Sequence, residues 1–448
     1  VAYQWNDKTV LRGGYGLFYF PQAEYGGSLG FAVNTPFTAT VGGGASAFIP
    51  ANTLSNPFPT GLTQPSGSSL GLSTLLGNSL TVVNPDHTIP YIHEYSAGIQ
   101  RELPWRFKLD VSYAGSRTRG ILTGDAQGAG GRNINALSAA QLAQQRANPG
   151  FFSASVANPF AGLIPGSGTY NAATITRERL LRPFPQFDSV TIVGENVGRL
   201  WYDSLQASLE KRLSAGLVMV ASYTFSKTLA ALGFLNPQDA APTKAIFNND
   251  STHVFVFSGV YQLPIGRGKH FFGDAGKATN LLLGGWEYNW IANFRSGNPI
   301  DLPTGQADLI ADPTLEDSSF EKFFNTCVRQ TDGTSRQPNA ARTAFEPCTN
   351  PAWALRPAFT LANTPLRLAN LRQPWAPIFD MSINKSFYFN ERLRFQVRGE
   401  FFNAFNTPLF GSPNTNPTNL EFGRLTERNS VRNGNNFRNF QLGLKFNF

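Results

Sequence analysis

Large apolar residues recur at every second position in ten stretches of this chain, with polar residues between them. The last stretch, FRNFQLGLKFNF (437–448), is the cleanest. Phe440, Leu442, Leu444, Phe446 and Phe448 alternate with Gln441, Gly443, Lys445 and Asn447. A period of two places the two sets on opposite faces of an extended strand. The other nine stretches are 9–19, 89–101, 106–115, 201–213, 217–227, 252–262, 285–296, 376–388 and 391–405. In 201–213, Trp201, Leu205, Ala207 and Leu209 stand against Ser204, Gln206, Ser208, Glu210 and Arg212. In 391–405, Leu393, Phe395, Val397 and Phe401 stand against Arg394, Gln396, Arg398 and Glu400. The piece ASLEKRL has helical propensity, but its period is two, and propensity is the weaker guide.

The spacing of the stretches adds a second pattern. ELPWR, SAG and FNE join the second to the third, the fourth to the fifth and the eighth to the ninth, and the link from sixth to seventh is of moderate length. The remaining connections, about 20–88, 116–200, 229–250, 297–375 and 406–436, are long. Short and long therefore alternate. In an antiparallel meander successive turns fall at opposite ends, so all the long loops gather at one end. A soluble sandwich has no reason to sort its loops this way; an outer-membrane barrel, with short periplasmic turns and long outer loops, does. The fold expected is all-β: an antiparallel transmembrane barrel of about ten strands in residues 1–448. On this reading Glu210, Arg212, Arg394, Arg398 and Glu400 face a wet lumen and the Phe, Leu, Tyr and Trp residues face lipid. Trp105 near a short turn, and Trp201 and Tyr202 near a long loop, fit two interfacial aromatic belts.

Composition agrees. Charged residues make up only 15% and Phe alone contributes 38 positions, while 43 Gly and 30 Pro supply turns rather than helices. The longest apolar run, LVMVA (217–221), is far short of the roughly 20 residues of a membrane-spanning helix. The net charge of +8 is spread without a basic run, which argues against nucleic acid as a partner. Cys327 and Cys348 share one loop-like stretch; an extracytoplasmic protein joins them, and the alternative is two free thiols.

Several stretches resemble the TonB-dependent receptor superfamily, specifically its Oar-like branch: KTVLRGGYGLFY (8–19), PYIHEYSAGIQREL (90–103), YDSLQASLEKRLSAGL (202–217), SYTFSKTL (222–229) and RFQVRGEFFNAFNTPLFG (394–411). The similarity spans nearly the whole chain, and its pieces are strand patterns rather than catalytic signatures. It implies a barrel of about 22 strands filled by an N-terminal plug. Neither the plug, its TonB-contacting box nor a leader is found here, so the chain is expected to be the C-terminal half of such a barrel, the stretch Val10–Tyr19 being an edge awaiting a neighbour. A complete small barrel is the alternative. The ending QLGLKFNF resembles the signal read by the barrel-assembly machinery, carried by Phe440, Leu442, Leu444, Phe446 and Phe448.

The resemblance implies energised import of an unidentified extracellular ligand, coupled to the TonB complex through the plug, in a membrane of lipid and lipopolysaccharide. A surface adhesin or envelope-organising barrel that transports nothing is the rival. The outer loops, rich in Asn, Gly, Pro, Ser and Thr, suit polar recognition. An enzyme would need Ser or Asp beside His at a strand end, and His87, His93, His253 and His270 are scattered. His93 and Glu94 point to opposite faces, and Asp250 lies near His253 at a loop end. No cofactor, metal spacing or phosphate-cradling loop is expected.

Overall fold

The computed structural model describes residues 1–20, 33, 35, 50–86, 88–123, 131–164, 168–375, 377–389, 393–425 and 437–448; His87 lies outside them. One large sheet runs the length of the chain as a meander. Its strands are β1 (Ala2–Asn6), β2 (Thr9–Tyr19), β3 (Tyr91–Leu103), β4 (Phe107–Ile121), β5 (Gly198–Ser214) and β6 (Leu217–Ala231), followed by β7 (His253–Gln262), β8 (Trp286–Arg295), β9 (Ile378–Tyr388), β10 (Arg394–Phe402) and β11 (Asn439–Asn447). Each strand pairs with its neighbour in sequence order, and every such pair is antiparallel.

The register carries the alternation across strands without a slip of face. Leu11, Ile99, Val111, Ala207, Tyr223, Phe255 and Phe294 are successive cross-strand partners from β2 to β8. On the other face Gln100, Asp110, Ser208 and Ser222 partner one another, as do Asn289, Ser382, Glu400 and Gln441. One face of the whole sheet is therefore apolar and the other mainly polar. Among the described residues no layer covers the apolar face at its end: Leu442 and Leu444 of β11 are 68% and 72% exposed.

Eleven strands form this path, one more than the alternation predicted. The extra strand is β1, whose Ala2, Tyr3 and Gln4 pair with Arg12, Leu11 and Val10. The stretch Val10–Tyr19 is thus not an edge of the sheet; β1 and β11 are, and they do not pair with one another. The sheet is open, so these strands do not make the complete small barrel that stood as the alternative. Because alternate strands run in opposite directions, the first and eleventh run the same way, so direct closure would demand a parallel pair within an antiparallel wall.

Short and long connections alternate as the spacing predicted, and the β1–β2 turn at Asp7 and Lys8 extends the series at the short end. The turn joining β5 to β6 is two residues, Ala215 (φ 50°) and Gly216 (φ 78°). Positive φ at both positions is the hairpin geometry whose twist matches the flanking strands. A Cβ on Gly216 would meet the Gln262 carbonyl oxygen at 2.7 Å, so this close approach requires glycine.

The well-buried hydrophobic clusters lie in the long loops. Trp353, Phe324, Val328, Ile300 and Phe422 form one, combining the β8–β9 and β10–β11 connections. Leu137, Leu142 and Phe152 pack against Phe359 and Leu361, uniting the β4–β5 and β8–β9 connections. Ile164, Tyr170 and Ile175 pack against Leu76, which brings in the β2–β3 connection. The described parts of these loops thus pack on one another as a layer.

Candidate functional site

The loop layer is held by small sheets of its own. Residues 80–83 run parallel to 190–193, which in turn pair with 132–133. In the β8–β9 connection, five short strands pair in the order 307–309, 353–355, 328–329, 335–338 and 345–347. Cys327 and Cys348 are joined there by a disulfide, with Cα atoms 5.9 Å apart. Closing this 21-residue separation removes freedom from the unfolded loop, worth roughly 3 kcal/mol. Burial holds the Arg342 guanidinium below its ordinary value, and its Nη1 donates to the carbonyls of Leu420 and Phe422 at 2.8 Å each, tying the last loop to this sheet.

Polar clamps join loop to loop. The Asn236 amide donates to the Ala362 carbonyl at 3.0 Å and accepts from the Ala362 N–H at 2.7 Å. Gln238 Nε2 reaches the Leu137 carbonyl at 2.6 Å. Asp250, whose side chain is fully buried, accepts the Arg372 guanidinium at 2.7 Å and the Thr228 N–H at 2.6 Å, fixing a loop end to the top of β6. A buried carboxylate left without such partners would be strongly destabilising. Asp250 is therefore committed to Arg372, while His253 bonds the Tyr223 hydroxyl at 2.8 Å and stacks on Trp375. His93 likewise bonds Tyr15, at 2.7 Å. Among the described residues no His, Cys, Asp and Glu side chains gather in threes as a metal site.

Where this layer meets the polar face, a cavity of about 430 Å³ opens. Its wall combines Ala230 of β6, the loop residues Phe234 and Phe247, and the polar side chains of Arg132, Asn133, Asn248 and Arg367. Both arginines are fixed. Arg132 grips Glu195 with Nη2 at 2.6 Å and Nε at 3.2 Å, and its guanidinium lies 5.2 Å from the centre of the Phe234 ring. Arg367 Nε sits 2.6 Å from Asp301 while its Nη1 donates to the Ile246 carbonyl at 2.9 Å. The cavity thus offers apolar surface with pre-oriented donors, the mixture that binds and orients a small ligand.

Below it, the polar face holds all five charged residues singled out in the sequence. Glu210 pairs with Lys108 at 2.6 Å, and Arg212 with Glu102 at 3.4 Å. Arg394 donates to Ser386 Oγ at 2.7 Å and stacks over Tyr388, and Arg398 Nε donates to Gln396 at 2.8 Å. Glu400 lies across from Ser382 and Gln441. Phe440, Leu442, Leu444 and Phe446 share the apolar face of β11. The cavity and the loop packing carried no sequence signal, because their residues come from connections far apart in the chain and show no local period.

The sequence model of a family described as "Outer membrane beta barrel domain" matches residues 1–441. No curated protein matches the chain. Among solved structures, the siderophore receptor PirA from Acinetobacter baumannii aligns over 100% of this chain and 40% of its own, at 10% identity and a TM-score of 0.42. The ferric-catecholate import receptor Fiu from E. coli aligns over 100% and 34%, at 10% identity and a TM-score of 0.38. The outer membrane transporter YddB from Escherichia coli aligns over 98% and 38%, at 8% identity and a TM-score of 0.37. The chain spans well under half the length of these structures.

Proposed function

Because this chain belongs to the outer membrane beta barrel domain family, and so to the outer membrane of a Gram-negative bacterium, we propose that it supplies the wall and the ligand-capturing outer layer of a receptor for TonB-energised uptake. The cavity of about 430 Å³ between the loop layer and the polar face is the observation that carries this reading. It stands where a ligand from outside would be held before passage. The polar face, with Glu210, Arg212, Arg394, Arg398 and Glu400, is the lumen lining, and the apolar face meets lipid. The wall is completed by further strands, since a lipid-exposed sheet cannot leave the backbone groups of β1 and β11 unpaired. The apolar set ending in Phe446 and Phe448 presents the chain to the barrel-assembly machinery.

A surface adhesin or envelope-organising barrel is the second reading. The disulfide-tied, internally packed loop layer favours it as well, because adhesion needs a rigid outer surface and no energy. Capture of the full-length protein on an immobilised TonB periplasmic domain separates the two. Specific retention is expected of a receptor. Failure to bind, with the protein folded and heat-modifiable on a gel, would leave adhesion as the function.

A further inference from the structure

The apolar face is not apolar throughout. At the long-loop end, β4, β5 and β6 carry Arg117, Arg119, Arg199 and Lys227 on it. The register fixes this: Arg119 partners Arg199, Arg117 partners Trp201, and Asp203 partners Lys227, all in line with Tyr113, Leu205 and Phe225 farther down the same face. Lys244, beside the short Ala245–Ile246 strand, joins them with its ammonium 4.5 Å from the centre of the Trp201 ring.

Among the described residues one carboxylate stands with these five cations, and it is already engaged. Asp203 accepts both Arg117 contacts, at 2.9 and 3.0 Å, together with the Tyr113 hydroxyl at 2.5 Å and the Tyr95 hydroxyl at 3.5 Å. Arg119, Arg199 and Lys227 are exposed and make no ion pair or hydrogen bond among the described residues. Arg119 and Arg199 are also direct cross-strand partners. Like charges so placed repel and weaken the pairing. An anion between them would relieve this repulsion and engage the neighbouring lysine as well.

We propose that this patch binds the phosphorylated headgroup of an outer-leaflet glycolipid. The assignment rests on the lipid-facing reading of the apolar face given above. Phosphate suits it because Arg presents a planar donor fork matching phosphate oxygens, and Lys adds a point charge. A lipid rather than a free anion is the occupant because the cations share one surface with the acyl-chain contacts. Trp201 and Tyr91 flank them at the level where interfacial aromatics sit. The patch lies at the end bearing the long loops, so it meets the outer leaflet.

The test uses the full-length protein in detergent, mixed with diphosphoryl lipid A or with lipid A stripped of its phosphates, bound lipid being read by native mass spectrometry. Wild type is expected to retain the phosphorylated form selectively. The triple variant Arg119→Gln, Arg199→Gln, Lys227→Gln is expected to bind it on the order of 100-fold more weakly, since each basic residue near an anionic surface contributes roughly fivefold. Arg101→Gln, on the same face at the short-turn end, is expected to bind as wild type does. Equal retention of the two lipids by wild type, equal loss in Arg101→Gln, or full displacement by inorganic phosphate would each overturn the proposal. The wild-type comparison stands even if the triple variant does not fold. Wild type that stays soluble without detergent would instead defeat the lipid-facing reading itself.

Discussion

Ala215 is a small misfit in a turn that would rather hold asparagine. Its φ of 50° is left-handed, where alanine is strained and Asn is tolerated, and Gly216 already supplies the second position. Ala215→Asn is therefore expected to raise stability by about 0.5 kcal/mol, and Gly216→Ala to lower it by more than about 1 kcal/mol, in urea titrations of the detergent-solubilised barrel. Trp353 sits at 0% exposure among Phe324, Phe422 and Val328. Trp353→Ala is expected to cost the loop layer about 3–5 kcal/mol, visible as faster trypsin cleavage within 296–377 while the barrel band on a gel persists. Asp332 accepts from the Thr334 hydroxyl at 2.6 Å and N–H at 2.9 Å, and these bonds hold its carboxyl below the ordinary range. A lowered folded-state pKa means the contribution is complete above the unfolded value, about 4, and is lost as pH falls through the folded one. Amide exchange at Thr334, corrected for its intrinsic pH dependence, should thus accelerate below about pH 4 in wild type; in Asp332→Asn it should not change with pH. None of these residues announced its role in the sequence. A turn φ, a packed tryptophan in a loop and a hydroxyl bonded to a carboxylate all depend on where the backbone has already been placed.

Strands, by contrast, were legible. Ten of the eleven are alternating stretches, because a sheet with unlike faces writes period two directly into the chain. The missed one, AYQWN, alternates too, with Tyr3 and Trp5 large and Gln4 polar, but five residues give too few repeats to stand above chance. Its tight NDK turn was the signal that could have found it. The charged residues on the polar face followed from the same parity, whereas the Arg117–Asp203 pair on the apolar face broke it and was passed over. Parity also makes a sharp prediction for β11. Leu442→Arg, on the apolar face, is expected to cost about 2–4 kcal/mol at mid-strand. Gln441→Arg, one residue away on the polar face, should cost less than about 0.5 kcal/mol. Urea midpoints in lipid vesicles compare the two directly.

At the scale of the whole molecule, the alternation of short and long connections organises everything else. It sends five loops to one end, where they share clusters and polar clamps that no single loop could build. By composition those loops suit polar recognition; in the structure their apolar residues form a packed layer, meeting only after the strands have brought them together. The central claim is that this layer lies outside the cell and the short turns lie on the periplasmic side. Both cysteines of this chain are in the disulfide, so within it a single introduced cysteine is the free thiol to be labelled. Intact cells carrying Asp317→Cys in the β8–β9 loop or Ala215→Cys in the β5–β6 turn are treated with a membrane-impermeant maleimide. Labelling of Asp317→Cys at once, and of Ala215→Cys only after the outer membrane is permeabilised, is the predicted result. Immediate labelling at position 215, or protection at position 317, would contradict it.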